Sequence, residues 1–545
     1  MSSDDSKGFS KFRSFVWPIH SFELKKFLPL FAMAFFVGFN YTLLRNMKDT
    51  VLVSFSGAEA IPFVKVWGIV PGAVIVTALY GLLSNKYKRS VFYFFITGFL
   101  IFFALFVFVL YPMGDALHFH RFGDFLLKVL PNGFGGLISV IRYWSFSLFY
   151  IISELWSTAV LSMLFWGVAN EITSIKEAGR FYSLINTGLN LSSVAAGILV
   201  VFISKHHLLT LSFAKDVWHN SMIIQTCLVL GAGGVIILLY RQLSKNLKDA
   251  QLKISEVSIK QVKAKNKSEK FKIKDLLMSI AGSRYLLYLA IGVLSYNLVI
   301  HLFEVVWKHQ IGQLYPNALD FNIYMAKVAW VTGAVSTVVA LLVSGQLIRK
   351  CGWTFGSFIT PGVLAITGFC FFASIFLAKR DLFLGAFFSG ISPLACVACF
   401  GSLHNILSRS AKFTFFDMTK EMAFIPLPDS MKLKGKAAID GVVSRVGKSG
   451  GSFIYQILLI SFSSVAGSIN IIAALIFLIL GGWSISIFFL GKRFKALVEE
   501  KNKEEFLIPS VVDSSLFGLE SDIKLSEQAV EGIHTEPAVS ELANV

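Results

Sequence analysis

The sequence predicts an all-α polytopic membrane protein with twelve transmembrane helices in two related groups of six. The chain has 545 residues, of which 55% are hydrophobic and only 15% charged, so it is too apolar for a soluble protein of this length. Apolar runs of about 20 residues, long enough to cross a bilayer as a helix, recur along the chain. The first six runs also contain stretches that match stretches of the last six.

Twelve segments have the length and composition of spanning helices. Their ends are approximate, because an apolar pattern locates a helix better than its boundaries. The segments are 27–44, 63–83, 91–111, 137–169, 182–204, 220–240, 285–306, 327–348, 353–378, 382–408, 441–465 and 469–491. Because the residues before the first segment are polar and charged, we predict no cleavable signal peptide and insertion of that segment as a signal anchor.

Basic residues in the short loops lie on one side of the predicted membrane. They are Lys25 and Lys26, KYKR at 86–89, RK at 349–350 and GKRFK at 491–495. An excess of Lys and Arg in short loops marks the cytoplasmic side. With twelve spans, both termini are predicted to be cytoplasmic, in a bacterial inner membrane.

Composition divides the chain into five segments. They are a cytoplasmic segment (1–26), a six-helix bundle (27–240), a basic cytoplasmic linker (241–284), a second six-helix bundle (285–491) and a disordered cytoplasmic tail (492–545). The linker has twelve basic and four acidic residues, so its net charge of +8 is almost half of the chain's +17. A solvated loop is favoured for it over a patch that binds nucleic acid or anionic lipid. The tail is polar and acidic and lacks periodicity.

The two bundles contain matching sequence. FVKVWGIVPGAVIVTALYGLLSNKYKR at 63–89 resembles MAKVAWVTGAVSTVVALLVSGQLIRKCG at 325–352, and NYTLLRNMKDTVL at 40–52 resembles SYNLVIHLFEVVWK at 295–308. Six spans plus six, joined by a long basic loop, is the layout of major-facilitator transporters, whose halves enclose a site near the middle of the membrane. GLLSNKYKR resembles that superfamily's loop between spans two and three, although Asn85 stands where an acid is usual.

Charged residues inside the predicted spans are few, and each is costly unless it is paired or hydrated. Candidates are Arg45 and Lys48 just after span one, Arg142 and Glu154 in span four, Glu304 in and Lys308 just after span seven, and Arg445 and Lys448 in span eleven. Residues three or four apart share a helix face. A cavity with several cations and two glutamates suits a polyanion such as a nucleotide, while a sugar phosphate, a carboxylate or phosphate also fits the pattern.

Some of these charges have a simpler explanation. Arg45 lies near the end of its predicted span, so it is equally expected to reach the membrane interface. Glu304 and Lys308 can neutralise each other locally. Glu154 has no partner within one turn, which favours a water-filled or a cross-helix setting, and Lys448 is followed by a long apolar run. We expect both to line a cavity.

Other side chains suit recognition of a base or ribose. Asn186 and Asn190 share a face of span five and are expected to hydrogen-bond either a nucleotide or a neighbouring helix. The aromatic residues Tyr150, Trp156 and Phe303 can stack on a planar base.

Two motifs point to other chemistry, and both fail on inspection. GVVSRVGKSGG at 441–451 resembles a phosphate-binding P-loop, but Gly441 stands one residue too far from Gly447 and no strand precedes it. Cys396 and Cys399 form a CxxC without a second pair or a nearby His/Asp cluster, so packing roles are favoured. We predict no catalytic residue, metal, cofactor or disulfide. A membrane-bound P-loop ATPase or kinase is the alternative from another class, and it needs a soluble domain for which no loop is long enough.

Five blocks, taken together, resemble the ATP/ADP translocase and nucleotide transporter family of plastids and obligate intracellular bacteria. In order they are NYTLLRNMKDT, SELW…LFWGVANEIT…EAGRFYSLINTGLN, LFEVVWK, FFDMTKEMAFIPL and GKAAIDGVVSRVGKSGG. The resemblance extends from about Phe12 to the end of span twelve. It is strongest to the chlamydial branch that imports nucleotides with protons, and the exchanging branch has the same blocks.

The resemblance implies transport without hydrolysis and assigns roles in transport to four charged residues. Lys48 matches the Lys of KDT, Glu154 the acid of ELW, Glu304 the acid of EVxWK and Lys448 the Lys of GKSGG. Lys436 in GKAAID also matches, at the entrance to span eleven, where a surface role is equally expected.

We therefore predict a monomeric carrier that moves nucleoside triphosphates by alternating access. The predicted substrate-binding residues are Lys48, Glu154, Asn190, Glu304, Arg445 and Lys448. Proton-coupled uptake is predicted, with Glu154 as the proton carrier because it lacks a cationic neighbour like the one that Lys308 provides for Glu304. Exchange of ATP for ADP is the alternative. Expected partners are ATP, GTP or other nucleotides, protons and membrane lipid, but no nucleic acid.

The topology is testable with reporter fusions. A reporter inserted after residue 260 and one fused to the C-terminus should both report the cytoplasm, because the basic linker and the tail follow even numbers of spans. A periplasmic signal from either fusion would contradict the twelve-span arrangement.

Overall fold

The structure is a computed structural model. It describes residues 19–87, 90–173, 175–206, 211–257, 278, 280, 282–341, 345–379 and 392–531. All regular secondary structure in these residues is helical. Most of the basic linker and the ends of the chain, including Phe12, lie outside the described residues.

Six helical segments form the first half. They are α1 (Leu24–Ser56), α2 (Ala60–Phe63, the π-helical Val64–Ile69 and Val70–Tyr87), α3 (Val91–Leu105 and the π-helical Phe106–Leu110), α4 (Trp144–Trp156, the π-helical Ser157–Phe165 and Trp166–Ile172), α5 (Ile175–His206) and α6 (Val217–Val257). Two shorter helices, His120–Val129 and Gly135–Arg142, connect α3 to α4. Gly57, with φ of 79°, ends α1 in a conformation that favours glycine.

Six further segments form the second half. They are α7 (Arg284–Leu314), α8 (Ala318–Val339), α9 (Gly345–Lys379), α10 (Pro393–Ala411, the π-helical Lys412–Phe416 and Asp417–Ala423), α11 (Asp429–Lys436, the π-helical Ala437–Val443 and Ser444–Phe462) and α12 (Val465–Glu531).

The apolar runs predicted the helices well and their ends poorly. Nine helices in the described residues are long and apolar enough to cross a membrane, namely α1 to α7, α9 and α12. The helices α8, α10 and α11 lie at the other three predicted spans but are not among these nine. The total of twelve spans therefore stays a prediction. α1 begins before and ends after its predicted span, and α12 continues into residues 492–531, which we predicted to be a disordered tail.

Each half is organised around its first helix. α1 packs against α4, α5 and α6, and α7 packs against α10, α11 and α12. We call the side of the molecule where α1 and α7 begin the terminal face, and the opposite side, where they end, the distal face. Ring contacts tie helix ends together at each face, such as Phe27 with Phe181 at the terminal face and Phe55 with Phe146 at the distal face, both with centroids 5.0 Å apart.

The halves meet along α5 and α8, where glycine allows close approach. A Cβ added to Gly197 would lie 2.7 Å from the Ala326 carbonyl oxygen, and one added to Gly333 would lie 2.7 Å from the Asn190 carbonyl oxygen. These two contacts are about two turns apart on α5, so α5 and α8 approach closely over that part of their length.

At the distal face the halves also meet through α1, α2, α7 and α11. Leu52, Ile61 and Phe63 of the first half belong to the same buried apolar cluster as Val299 and Tyr455 of the second. Two hydrogen bonds add to this contact, which is therefore both apolar and polar. The Gln456 side-chain amide donates to the Pro62 carbonyl oxygen at 2.8 Å, and the Val465 backbone N–H donates to the Glu59 carboxylate at 3.2 Å.

At the terminal face, the buried apolar contacts and ion pairs of the described residues lie within one half. Among the described residues, the buried apolar cluster that contains Tyr285 and Leu490 has members from the second half only. Ion pairs behave in the same way, since Lys26 pairs with Glu177 in the first half and Lys420 with Asp440 in the second. The halves are thus joined at the distal face and separate towards the terminal face. We call the space between them on that side the cleft.

Candidate functional site

Six charged side chains form a continuous series of ion pairs between the halves, which we call the ion-pair chain. In order they are Glu154, Lys48, Asp49, Lys308, Glu304 and Lys65. The nitrogen and oxygen atoms of successive members are 3.2, 2.8, 2.8, 2.8 and 2.7 Å apart. Signs alternate throughout, and the links between Asp49 and Lys308 and between Glu304 and Lys65 join the first half to the second.

Local sequence explains how these side chains reach one another. Lys48 and Asp49 are adjacent on α1 and therefore point in different directions, Lys48 towards Glu154 on α4 and Asp49 towards Lys308 on α7. Glu304 and Lys308 are one turn apart on α7 and share a face. Lys65 lies in the π-helical part of α2, the kind of local widening that often occurs at functional sites.

The ion-pair chain is buried, and alternation of sign stabilises it. Asp49 and Lys308 have side chains that are 0% exposed, Glu304 is 9% exposed, and Glu154, at one end, is 30% exposed. Removing an ion from water costs several kcal/mol, which a partner repays only with good geometry. Each inner member contacts two opposite charges, and three carboxylates balance three ammonium groups.

Two ring side chains add to the ion-pair chain. The Lys48 ammonium lies 3.8 Å from the centroid of the Tyr150 ring, a cation–π contact, and the Lys65 ammonium lies 2.9 Å from His301 Nδ1. Tyr150, which we expected to stack on a base, is fully buried against Lys48 instead. Its hydroxyl has no hydrogen-bond partner among the described residues.

The ion-pair chain lies nearer the distal face than the terminal face. Asp49 is about 10 Å of helix from Ser56, the distal end of α1, and more than twice as far from Leu24. Its links across the halves therefore reinforce the distal contact between α1, α2, α7 and α11.

Arg445 and Lys448 are separate from the ion-pair chain. Both side chains are exposed, and neither makes an ion pair with a described residue. Lys448 is nevertheless within electrostatic range of Glu154 and Lys65 in the first half and of Lys412 in the second. This combination places Lys448 at the cleft, between the halves, rather than on the outer surface.

The structure thus divides the predicted substrate-binding residues into groups. Lys48, Glu154 and Glu304 belong to the ion-pair chain, and Lys448, with Arg445 one turn away on α11, belongs to the cleft. Asn190 lies on α5 at the contact with α8, and its side chain makes none of the hydrogen bonds found among the described residues.

The structure adds to two statements about single residues. Glu154 pairs across helices with Lys48 on α1 at 3.2 Å, one of the two settings expected for it, and spacing along α4 does not reveal this partner. Arg142 is not in span four, since it ends a separate short helix before α4 and pairs with Asp124.

Sequence reasoning missed Asp49 and Lys65. Asp49 directly follows Lys48 inside an apolar run, and the cost of an intramembrane acid is the signal that identifies it. Lys65 stands in the apolar stretch FVKVW, and the same reasoning applies to it.

The structure also bears on the two rejected motifs. Gly441 to Gly451 are helical throughout, so their backbone N–H groups are used in helix hydrogen bonds and form no loop around a phosphate. Cys396 is buried and Cys399 exposed, and neither forms a disulfide. The described residues contain no group of three His, Cys, Asp or Glu residues that could hold a metal ion.

Comparison with known proteins gives matches over nearly the whole chain. Residues 2–494 match the family described as TLC ATP/ADP transporter. The chain is 52% identical to ADP,ATP carrier protein 2 of Chlamydia pneumoniae, over 91% of this chain and 93% of that protein. It is 36% identical to ADP,ATP carrier protein 1 of Rickettsia prowazekii, over 92% of this chain and 100% of that protein.

Solved structures agree on the fold. A bacterial homologue of the iron transporter ferroportin in an inward-facing state superposes with a TM-score of 0.54 at 14% identity, covering 87% of this chain and 99% of that one. A peptide transporter superposes with a TM-score of 0.50 at 13% identity, covering 91% of this chain and 99% of that one. The chain has the all-α, major-facilitator type of fold that the sequence predicted.

A double-mutant cycle tests the buried link between the halves. Asp49→Asn and Lys308→Met should each destabilise the protein, because each leaves a buried partner with one opposite charge fewer. The double variant should lose less stability than the two single variants together. We expect a coupling free energy of about 1–3 kcal/mol, measured by thermal unfolding.

Asp115 and Lys215 provide the matched control, since their ion pair has side chains that are 85% and 43% exposed. Asp115→Asn and Lys215→Met should show no measurable coupling, as is usual for surface pairs. Additive effects of Asp49→Asn and Lys308→Met would contradict the ion-pair chain.

Proposed function

The chain belongs to the TLC ATP/ADP transporter family, and from this premise we propose that it carries nucleotides across the membrane by alternating access. One observation supports the proposal most strongly. Charged pairs join the halves at the distal face, while Arg445 and Lys448 on α11 remain unpaired on the side where the halves separate. A carrier that is closed on one side and ready to receive a polyanion on the other needs this arrangement.

We propose that a nucleoside triphosphate enters the cleft from the terminal face. Lys448 and Arg445 bind its phosphates, and each hydrogen bond between charged groups contributes about 1.5–3 kcal/mol. Asn190, on the wall formed by α5 and α8, binds the base or ribose. No hydrolysis is required, which distinguishes this carrier from the P-loop ATPase or kinase considered as the alternative.

In this proposal the ion-pair chain is the distal gate. Opening the distal face requires the links between Asp49 and Lys308 and between Glu304 and Lys65 to break. Water then solvates the separated charges and offsets much of the lost attraction. The free-energy difference between the closed and the open distal face is therefore smaller than the sum of the individual ion-pair energies suggests.

Lys48 connects the substrate with the gate. Its ammonium already contacts Asp49 and Glu154. A phosphate reaches Lys48 only by displacing one of these carboxylates, and Glu154 is the more exposed of the two. Protonation of Glu154 removes its charge and frees Lys48 for phosphate, so we propose Glu154 as the proton carrier and Glu304 as a fixed part of the gate.

Two coupling modes have separate support. The exposure of Glu154 and its single cationic ion-pair partner favour proton-coupled uptake. The relatives from Chlamydia and Rickettsia are named ADP,ATP carriers, which favours exchange of nucleotides. In the exchange mode, both glutamates serve only as counter-charges for the lysines.

We further propose that the terminal face is cytoplasmic, because the short basic loops lie there, and that the membrane is a bacterial inner membrane. The two six-helix bundles act as the moving bodies. All the proposed binding residues belong to a single chain, so a monomer is sufficient for transport.

Binding measurements test the role of the cleft cations. Lys448→Ala should weaken ATP binding by about 10- to 100-fold and leave adenosine binding unchanged, because Lys448 contacts phosphate. Lys495→Ala, which removes an exposed lysine beyond the predicted spans, is the control and should bind as the parent does. If folded Lys448→Ala binds ATP as tightly as the parent, the phosphate role of α11 is wrong.

Uptake of labelled nucleotide into proteoliposomes tests the function and its coupling. The parent should accumulate nucleotide under an imposed pH gradient, and Glu154→Gln should lose this accumulation while retaining exchange with preloaded nucleotide. Glu304→Gln should impair both modes, since it weakens the gate.

Three results would count against these assignments. Gradient-driven accumulation by Glu154→Gln would exclude Glu154 as the proton carrier. Exchange without net uptake by the parent would favour the antiport mode. A parent that moves no nucleotide in either mode would refute the proposed function.

A further inference from the structure

Arg45 lies well inside α1, far from both ends of the helix. About 16 Å of helix separates it from Ser56, and about 30 Å separates it from Leu24. An arginine side chain is shorter than either distance, so Arg45 does not reach either end of α1. A position within the helix bundle is therefore favoured over the equally expected one at the membrane interface.

Arg45 faces the same space as the substrate-binding residues. Tyr41, Arg45 and Lys48 recur at helical spacing and form one stripe on α1. Lys48 and Asp49, one turn further along α1, contact α4 and α7 respectively. Arg45 thus points between the two halves.

Arg45 has no ion-pair partner among the described residues, although three carboxylates are near. Asp49, Glu154 and Glu304 are within electrostatic range of it, but all three are held by lysines at 3.2 Å or less. The ion-pair chain is neutral in itself. The charge of Arg45 is therefore in excess.

Arg445 and Lys448 are in the same situation. Both lack an ion-pair partner among the described residues, and Lys448, like Arg45, is within electrostatic range of Glu154. Lys412 differs, because it pairs with Asp417 at 3.0 Å. The excess positive charge of the cleft is thus shared between α1 in the first half and α11 in the second.

We propose that Arg45 is a further substrate-binding residue and that Arg45, Arg445 and Lys448 together hold the polyphosphate of the substrate between the halves. This inference rests on the proposed function and adds to it a residue on α1. A triphosphate carries a negative charge that matches three cations, and the planar guanidinium of Arg45 can bind two phosphate oxygens at once. Since the phosphates contact both halves, binding draws the terminal ends of α1 and α11 together.

The experiment measures binding of inorganic tripolyphosphate, ATP and adenosine to the purified full-length protein in lipid nanodiscs. Arg45→Gln should weaken binding of tripolyphosphate and ATP by about 10- to 100-fold and leave adenosine binding unchanged. Arg45→Lys keeps the positive charge but loses the planar guanidinium that can bind two phosphate oxygens. It should therefore weaken the binding of tripolyphosphate and of ATP by a smaller factor. Arg241→Gln, which removes an exposed arginine on α6, is the control and should match the parent.

Several outcomes would overturn the role of Arg45. One is unchanged binding of tripolyphosphate and ATP by Arg45→Gln. Another is an equal loss of adenosine binding or a lowered melting temperature, since either indicates a structural role. Should Arg45→Gln fail to fold, Arg45→Lys decides, and unchanged binding of tripolyphosphate would refute the proposal.

The same data separate this inference from the proposed function. A parent that binds tripolyphosphate as tightly as ATP, without any contribution from the nucleoside, would contradict nucleotide transport, while the dependence on Arg45 would still be measured with tripolyphosphate. A parent that binds neither compound would overturn both proposals.

Discussion

Ion pairs in a medium of low polarity are the constraint on which this structure depends. A single charge buried among membrane helices is too costly to persist, so each buried charge in the distal half of the bundle has opposite charges beside it. Because Lys65, Asp49, Glu304 and Lys308 come from both halves, neutralising the charges also fastens the halves together. The position of the ion-pair chain near the distal face then determines which side of the molecule is closed. Helix packing between α5 and α8 joins the halves independently of these ion pairs.

The same constraint explains why the cleft is suited to an anion. The lysines of the ion-pair chain pair with its own carboxylates. Among the described residues, Arg45, Arg445 and Lys448 therefore have no ion-pair partner. Unpaired cations repel one another and are stable only beside water or a bound anion. A polyphosphate supplies the missing negative charge, and in the proposed cycle its binding competes with Glu154 for Lys48. In this cycle, substrate binding, protonation of Glu154 and opening of the gate each change which anion is paired with the lysines of the ion-pair chain.

Sequence alone predicted the helical class and the fold, and it picked out four of the six members of the ion-pair chain. Apolar runs fix where helices cross the membrane, but not where they end, because polar residues at the ends of α1 and α12 continue the helix. Pairs along one helix, such as Glu304 with Lys308, follow from spacing. Pairs between helices do not, since Lys65 and Glu304 are distant in sequence and meet only because the halves do. The partner of Glu154, the role of Asp49 and the isolation of Arg45 all required the folded arrangement.

The most direct test of the central claim is the distance between the halves at the distal face. Spin labels at Met113 and Ser461, both exposed at distal helix ends, report it by pulsed electron resonance after replacement of the native cysteines. In the double variant Lys65→Met/Lys308→Met, Asp49 and Glu304 face each other without the lysines that join them. We predict that the label distance shifts to longer values than in the parent. A distance distribution identical to that of the parent, in a folded protein, would contradict the claim that the ion-pair chain holds the distal face closed.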